Sequence, residues 1–88
     1  MAKAQASESP IGRISHFFDK IEVGIIELKA PLKVGDTIHL QGHTTDFLQQ
    51  VDSLQIEHQA VTAAKAGDAV GVKVKQQVRE GDEVFLVA

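Results

Sequence analysis

Three Gly-Asp pairs are the first feature that could carry chemistry: Gly35-Asp36 in KVGDTI, Gly67-Asp68 in KAGDAV and Gly81-Asp82 in REGDEV. An aspartate written three times in one phrase can be a catalytic or metal-binding carboxylate set, an internal repeat, or three copies of one structural device. The uneven separations break the single period that a repeat architecture keeps. Each pair directly precedes a β-rich run. Gly supplies the positive φ of a tight turn, and Asp accepts hydrogen bonds from nearby backbone N–H groups. The pattern therefore predicts three turns rather than a site.

The remaining chemistry-bearing residues are sparse. The histidines are His16, His39, His43 and His58. The spacing of His39 and His43 would align them on a helix, but the pair straddles a predicted strand end and turn. With no cysteine and no H-E-x-x-H, metal binding is weakly signalled, and solvated histidines are expected. His16 shares the parity of Ile14 and Phe18 and is expected to be partly buried. Ser15 and His16, as neighbours on a strand, point to opposite faces and cannot form a nucleophile–base pair. Neither a G-x-x-x-x-G-K-[ST] phosphate loop nor a G-x-G-x-x-G opening a helix is present, so nucleotide binding of the P-loop kind is excluded and no cofactor is expected. Lys73 and Lys75 share one face of a predicted strand, with Arg79 shortly after and Arg13 on another strand. They read either as a solvated outer face, where Lys also blunts sheet edges, or as a basic patch.

The elements that would position these residues are strands. Apolar residues alternate with a period near two from Ile11 onward. Strands are expected over Ile11 to Phe18, Ile21 to Leu28, Asp36 to Gln41, Asp46 to His58, Asp68 to Lys75 and Asp82 to Val87. Parity switches predict β-bulges near Gly24-Ile25 and Asp52-Ser53. Val61 to Lys65 is too short for an independent helix and is expected as a single turn. The expected core is Ile14, Val23, Ile38, Leu40, Val51, Leu54, Ile56, Val70, Val72 and Val74. Residues 1–9 are small, polar and aperiodic, predicting a disordered tail ahead of one domain over residues 10–88. Six short strands without a long helix predict an all-β fold, a small closed six-stranded barrel with Greek-key character.

Bulk properties bound the function. The chain has 88 residues, and 12 acidic against 9 basic side chains leave a net charge of −3. That weighs against a strongly electrostatic nucleic-acid binder. The only aromatic residues besides histidine are four Phe, few for a protein that stacks single-stranded bases. No signal-peptide-length or membrane-length apolar run occurs, so no membrane partner is expected, and the lack of cysteine fits a reducing cytoplasm.

The segments IGRISHFF, IEVGIIEL, LKVGDTIHLQG, VDSLQIEHQAV, AAKAGDAVGVKV and REGDEVF occur in an order that resembles the domain 2 β-barrel of translational GTPases, the elongation factor Tu family. GHTTDFLQQVDSLQI is most similar to stand-alone translation elongation factor-like barrels, and a similar barrel is appended to some collagenase-like peptidase homologues. The resemblance implies a non-catalytic barrel that contacts ribosomal RNA or tRNA, with Arg13, Lys73, Lys75 and Arg79 as candidate RNA-binding residues. No GTPase domain accompanies it. The alternative is a protein-interaction module working with a peptidase-like or RNA-modifying enzyme. An enzyme in its own right is not expected.

Overall fold

The computed structural model describes residues 8–87, and among them every regular element is a β-strand. The strands are β1 (Glu8–Phe18), β2 (Val23–Leu28), β3 (Leu32–Lys33), β4 (Thr37–Gln41), β5 (Asp46–Gln50), β6 (Leu54–Ile56), β7 (Gln59–Val61), β8 (Ala63–Ala64), β9 (Ala69–Lys73) and β10 (Glu83–Val87). All pairs are antiparallel; eight strands form one sheet in the order β5-β4-β10-β1-β2-β9-β6-β7, and β3 pairs with β8. The all-β expectation holds, but the closed six-stranded barrel does not: the ladder order is open, ending at β5 and β7.

Two local differences explain that outcome. The strand expected over Asp46 to His58 is broken at Val51–Ser53 and then turns back as the β6–β7 hairpin. Val61 to Lys65, expected as a turn, contributes to β7 and β8. Of the expected tail, residues 1–7 lie outside the described residues, whereas Glu8 and Ser9 already pair with Val87 and Leu86.

The three Gly-Asp pairs are copies of one device. In each, the Asp N–H donates to the carbonyl three residues back: Asp36 to Lys33, Asp68 to Lys65 and Asp82 to Arg79, at 3.0–3.1 Å. The intervening Gly35, Gly67 and Gly81 have φ of 99°, 95° and 93°, the conformation a type II turn requires at that position. The Asp carboxylate then accepts the N–H of the turn's first residue, at 3.0, 3.0 and 2.8 Å. Finally, Gly and Asp together oppose one residue of the neighbouring strand. Gly35 N–H donates to Val51, Gly67 to Leu28 and Gly81 to Ile14, while those residues donate back to Asp36, Asp68 and Asp82. This is a G1 bulge, two residues facing one. It fastens the incoming ends of β4, β9 and β10 to β5, β2 and β1, respectively.

The core is one cluster that includes Ile11, Ile14, Ile26, Leu32, Ile38, Leu40, Leu54, Val70, Val72, Val78 and Val84. Eight of the ten expected core residues are buried; Val23 and Ile56 are only partly so. The reason at Val23 is parity. Gly24, Ile26 and Leu28 face inward without interruption, leaving Val23 and Ile25 outward. The bulge expected in β2 instead lies in β1, where Ser15 is the extra residue between the Ile14↔Ile26 and His16↔Ile25 pairs. A second register shift in β1, between Pro10 and Gly12, is made against β10.

One polar side chain sits inside the curl of the sheet. Gln49 of β5 is 6% exposed. Its Nε2 donates to the Lys73 carbonyl and its Oε1 accepts the Lys75 N–H, both at 2.9 Å. A side-chain amide thus bridges β5 to the end of β9, where no backbone ladder does.

Leu54 is fully buried, so Leu54→Ala is expected to lower unfolding free energy by about 2–5 kcal/mol in urea titration. The β6–β7 hairpin turns on Glu57 and His58 with φ of 52° and 66°, a two-residue turn with both central φ positive, which normally takes Asn-Gly. The double substitution Glu57→Asn, His58→Gly is therefore expected to raise stability by about 1 kcal/mol in the same titration.

Candidate functional site

The outward parity of β2 creates the feature with most functional content. Val23 and Ile25 lie on the outer face opposite Lys73 and Gly71 of β9, and Phe18 pairs with Val23. The turn after β1 adds Ile21. Together with Gln55, Glu57, His58 and Ala69, these residues line an apolar groove of about 290 Å³. Phe18 is 46% and Ile21 58% exposed. An isolated exposed apolar residue needs no explanation, but a contiguous set makes this face a candidate interaction surface.

Gly71 forms the floor. A Cβ there would stand 3.3 Å from Val23 Cγ1 and 3.6 Å from Ile25 Cδ1, so any side chain would occupy the space that glycine leaves open. The walls carry strain. The non-glycine residues with positive φ among those described are Glu22, Glu57 and His58. Glu57 and His58 line the groove, and Glu22 adjoins Ile21 and Val23. Such conformations cost about 1–3 kcal/mol each and persist where the surroundings over-determine them. At one end the His16 and Phe18 rings lie 4.4 Å apart by centroid, and His16 Nδ1 is 3.3 Å from Glu80. His16, expected to be partly buried, is on the exposed side. A second apolar depression, of about 420 Å³, lies between Pro10, Pro31, Leu32 and Leu86; Leu32 is buried beneath it.

The four basic residues singled out from the sequence are distributed. Arg13 pairs across β1 with Glu83 and Glu27, so acidic residues flank it on both sides. Lys73 faces out beside Val23, at the edge of the groove. Lys75 Nζ lies 3.7 Å from Asp52. Arg79 is the first residue of the third turn, where its N–H meets the Asp82 carboxylate. Along β2, the partners of Arg13 and Lys73 are Glu27 and Val23, four residues or roughly 13 Å apart.

His39, outside the groove, is the most polarised titratable group. It sits in β4 with its side chain 16% exposed, between Asp46 at 2.6 Å and Glu8 at 2.9 Å. The hydrogen bond to Asp46, and next the one to Glu8, hold its pKa above the ordinary imidazole value, against a smaller opposing effect of burial. Periodicity offered no sign of this: Glu8 is 31 positions away in sequence. The groove did leave a sign, since β2 is apolar on both faces, a pattern of doubly covered strands. Glu8 and Asp46 contact opposite ring nitrogens of His39, and no group of three or more His, Asp or Glu side chains is arranged to hold a metal ion among the described residues.

No protein-family profile matches the sequence. The chain is 49% identical over 78 residues to an uncharacterized protease of Methanocaldococcus jannaschii and 30% identical over 77 residues to a collagenase of Porphyromonas gingivalis, covering 88% and 85% of this chain. It spans only 19% and 21%, about a fifth, of those relatives' own lengths. Among solved structures it superposes on the C-terminal domain of a protein assigned as a U32 peptidase from Geobacillus thermoleovorans, with a TM-score of 0.83 at 16% identity, covering 89% of this chain and 91% of that one. A selenomethionine variant of the same domain gives 0.82, covering 86% and 96%. These likenesses correct the expectation drawn from the elongation factor Tu resemblance: the named relatives are a protease and collagenases, and the similar structures are peptidase C-terminal domains rather than translation factors.

Proposed function

We propose that this chain is a non-catalytic protein-interaction module that works with a peptidase-like protein, docking through the groove of Phe18, Ile21, Val23, Ile25 and Gly71. The groove's open apolar floor is the observation that carries the reading. A domain this small spends core-forming residues inward first. Here Ile21, Val23 and Ile25 are committed to the outside. The likeness to about a fifth of a protease supports the choice of partner, because in that relative four-fifths of the chain lies outside the matched segment. The occupant is a bulky apolar side chain of the peptidase-like protein, seated over Gly71 against the Phe18 ring and excluding water from both. In this reading the groove positions the peptidase-like protein.

Ile21→Glu and Gly71→Val test this. Ile21 is exposed, so Ile21→Glu is expected to change stability by less than about 0.5 kcal/mol. Gly71→Val fills the floor from within. Tagged protein should recover a peptidase-like protein from nuclease-treated lysate of the cells that produce it. Titration with that purified protein should then show affinity falling at least about tenfold for either variant. Undiminished affinity in both variants, or recovery of no peptidase-like protein, would overturn the proposal.

A further inference from the structure

His39 occupies a position that the docking reading does not use. Its Nδ1 is 2.9 and 3.1 Å from the two Glu8 oxygens, and its Nε2 is 2.6 Å from Asp46 Oδ1. An ionised carboxylate only accepts hydrogen bonds, and a neutral imidazole has one N–H to give. Both contacts are therefore hydrogen bonds only when the ring carries two protons and a positive charge. Loss of one proton leaves a ring lone pair facing a carboxylate.

The strands joined make this contact more than local. In the sheet order β5-β4-β10-β1, Glu8 is the first residue of β1 and Asp46 the first of β5. β10 runs between β4 and β1, and its Phe85 pairs with both His39 and Pro10. The Phe85 ring lies 6.1 Å from the His39 ring by centroid. The imidazolium thus reaches over Phe85 to hold β1 on one side, and holds the start of the edge strand β5 on the other.

We propose that Glu8, His39 and Asp46 form a pH-operated clasp across β10, closed while His39 is an imidazolium and opened when the ring becomes neutral. The charged groups facing the ring are Glu8 from β1 and Asp46 from β5. From β10, Glu83 lies on the same face two residues beyond Phe85, opposite Gln41; β4 presents only the uncharged Thr37 and Gln41 beside His39. Arg13 of β1 stands opposite Glu83 and offsets that carboxylate, so the two charges in contact with the ring, Glu8 and Asp46, decide the balance and favour the closed form. The bonds that close the clasp also raise the ring's pKa in the folded state. Its stabilisation is therefore complete below the unfolded value of about 6.5 and is lost as pH rises through the folded value.

The test compares wild type with His39→Gln between pH 6 and 9, reading melting temperature and amide protection factors at the starts of β1 and β5. His16, paired with Glu80, is common to both proteins, so the difference isolates His39. Wild-type melting temperature should fall by a few degrees across the range, with protection lost at those two strand starts first. His39→Gln should lack this component and show low protection there at pH 6. A pH profile shared by both proteins, or full protection of both strand starts in the variant at pH 6, would overturn the clasp.

Discussion

A single backbone constraint, the type II turn closed by a Gly-Asp bulge, organises this molecule by being used three times. Each copy delivers a strand at a fixed register: the bulge sets Val51, Leu28 and Ile14 opposite Asp36, Asp68 and Asp82. In strands whose side chains alternate strictly, a slip of one residue would turn the buried face to solvent. β4, β9 and β10 carry Ile38, Leu40, Val70, Val72 and Val84 into the core, so the three bulges specify much of its content. The aspartates contribute through carboxylate bonds to backbone, and the chemistry their repetition suggests is conformational.

The groove is a by-product of the same register. With Leu28 held inward by the second bulge, Ile26 and Gly24 must also face inward, and Val23 and Ile25 must face out. The sheet thus presents branched apolar side chains on its outer surface for as long as that bulge is in place. The groove's position is thus set by a turn on another strand. The likeness to peptidase C-terminal domains extends to this strand arrangement as a fold.

Much of the fold was legible because it rests on local rules. Gly-Asp before an alternating run announced the turns, and Val70, Val72 and Val74 announced a strand. The misreadings occur where two rules compete. In IEVGIIEL both parities are apolar, and assigning Val23 to the core required a bulge at Gly24 that the chain does not make. The run from Asp46 to His58 reads as one strand because Leu54 and Ile56 remain apolar after the break at Val51–Ser53. Nothing local reveals that the chain doubles back on a turn without glycine. Val78, buried in a stretch lacking regular structure, has no period to betray it. The groove and the His39 contacts depend on strand neighbours far apart in sequence, information that periodicity does not contain.

The Gln49 amide has a consequence for how this sheet comes apart. It satisfies a carbonyl and an N–H on the segment leaving β9, standing in for the ladder that would otherwise join that segment to β5. A backbone ladder separates only by unzipping residue after residue, whereas this seam is held by side chains: the buried Gln49 amide and the Lys75–Asp52 ion pair. Without the Gln49 amide those two backbone groups would lose this partner while every strand pair kept its own bonds. Opening this seam breaks fewer hydrogen bonds than separating a paired strand does, which is the physical difference between a side-chain seam and a ladder.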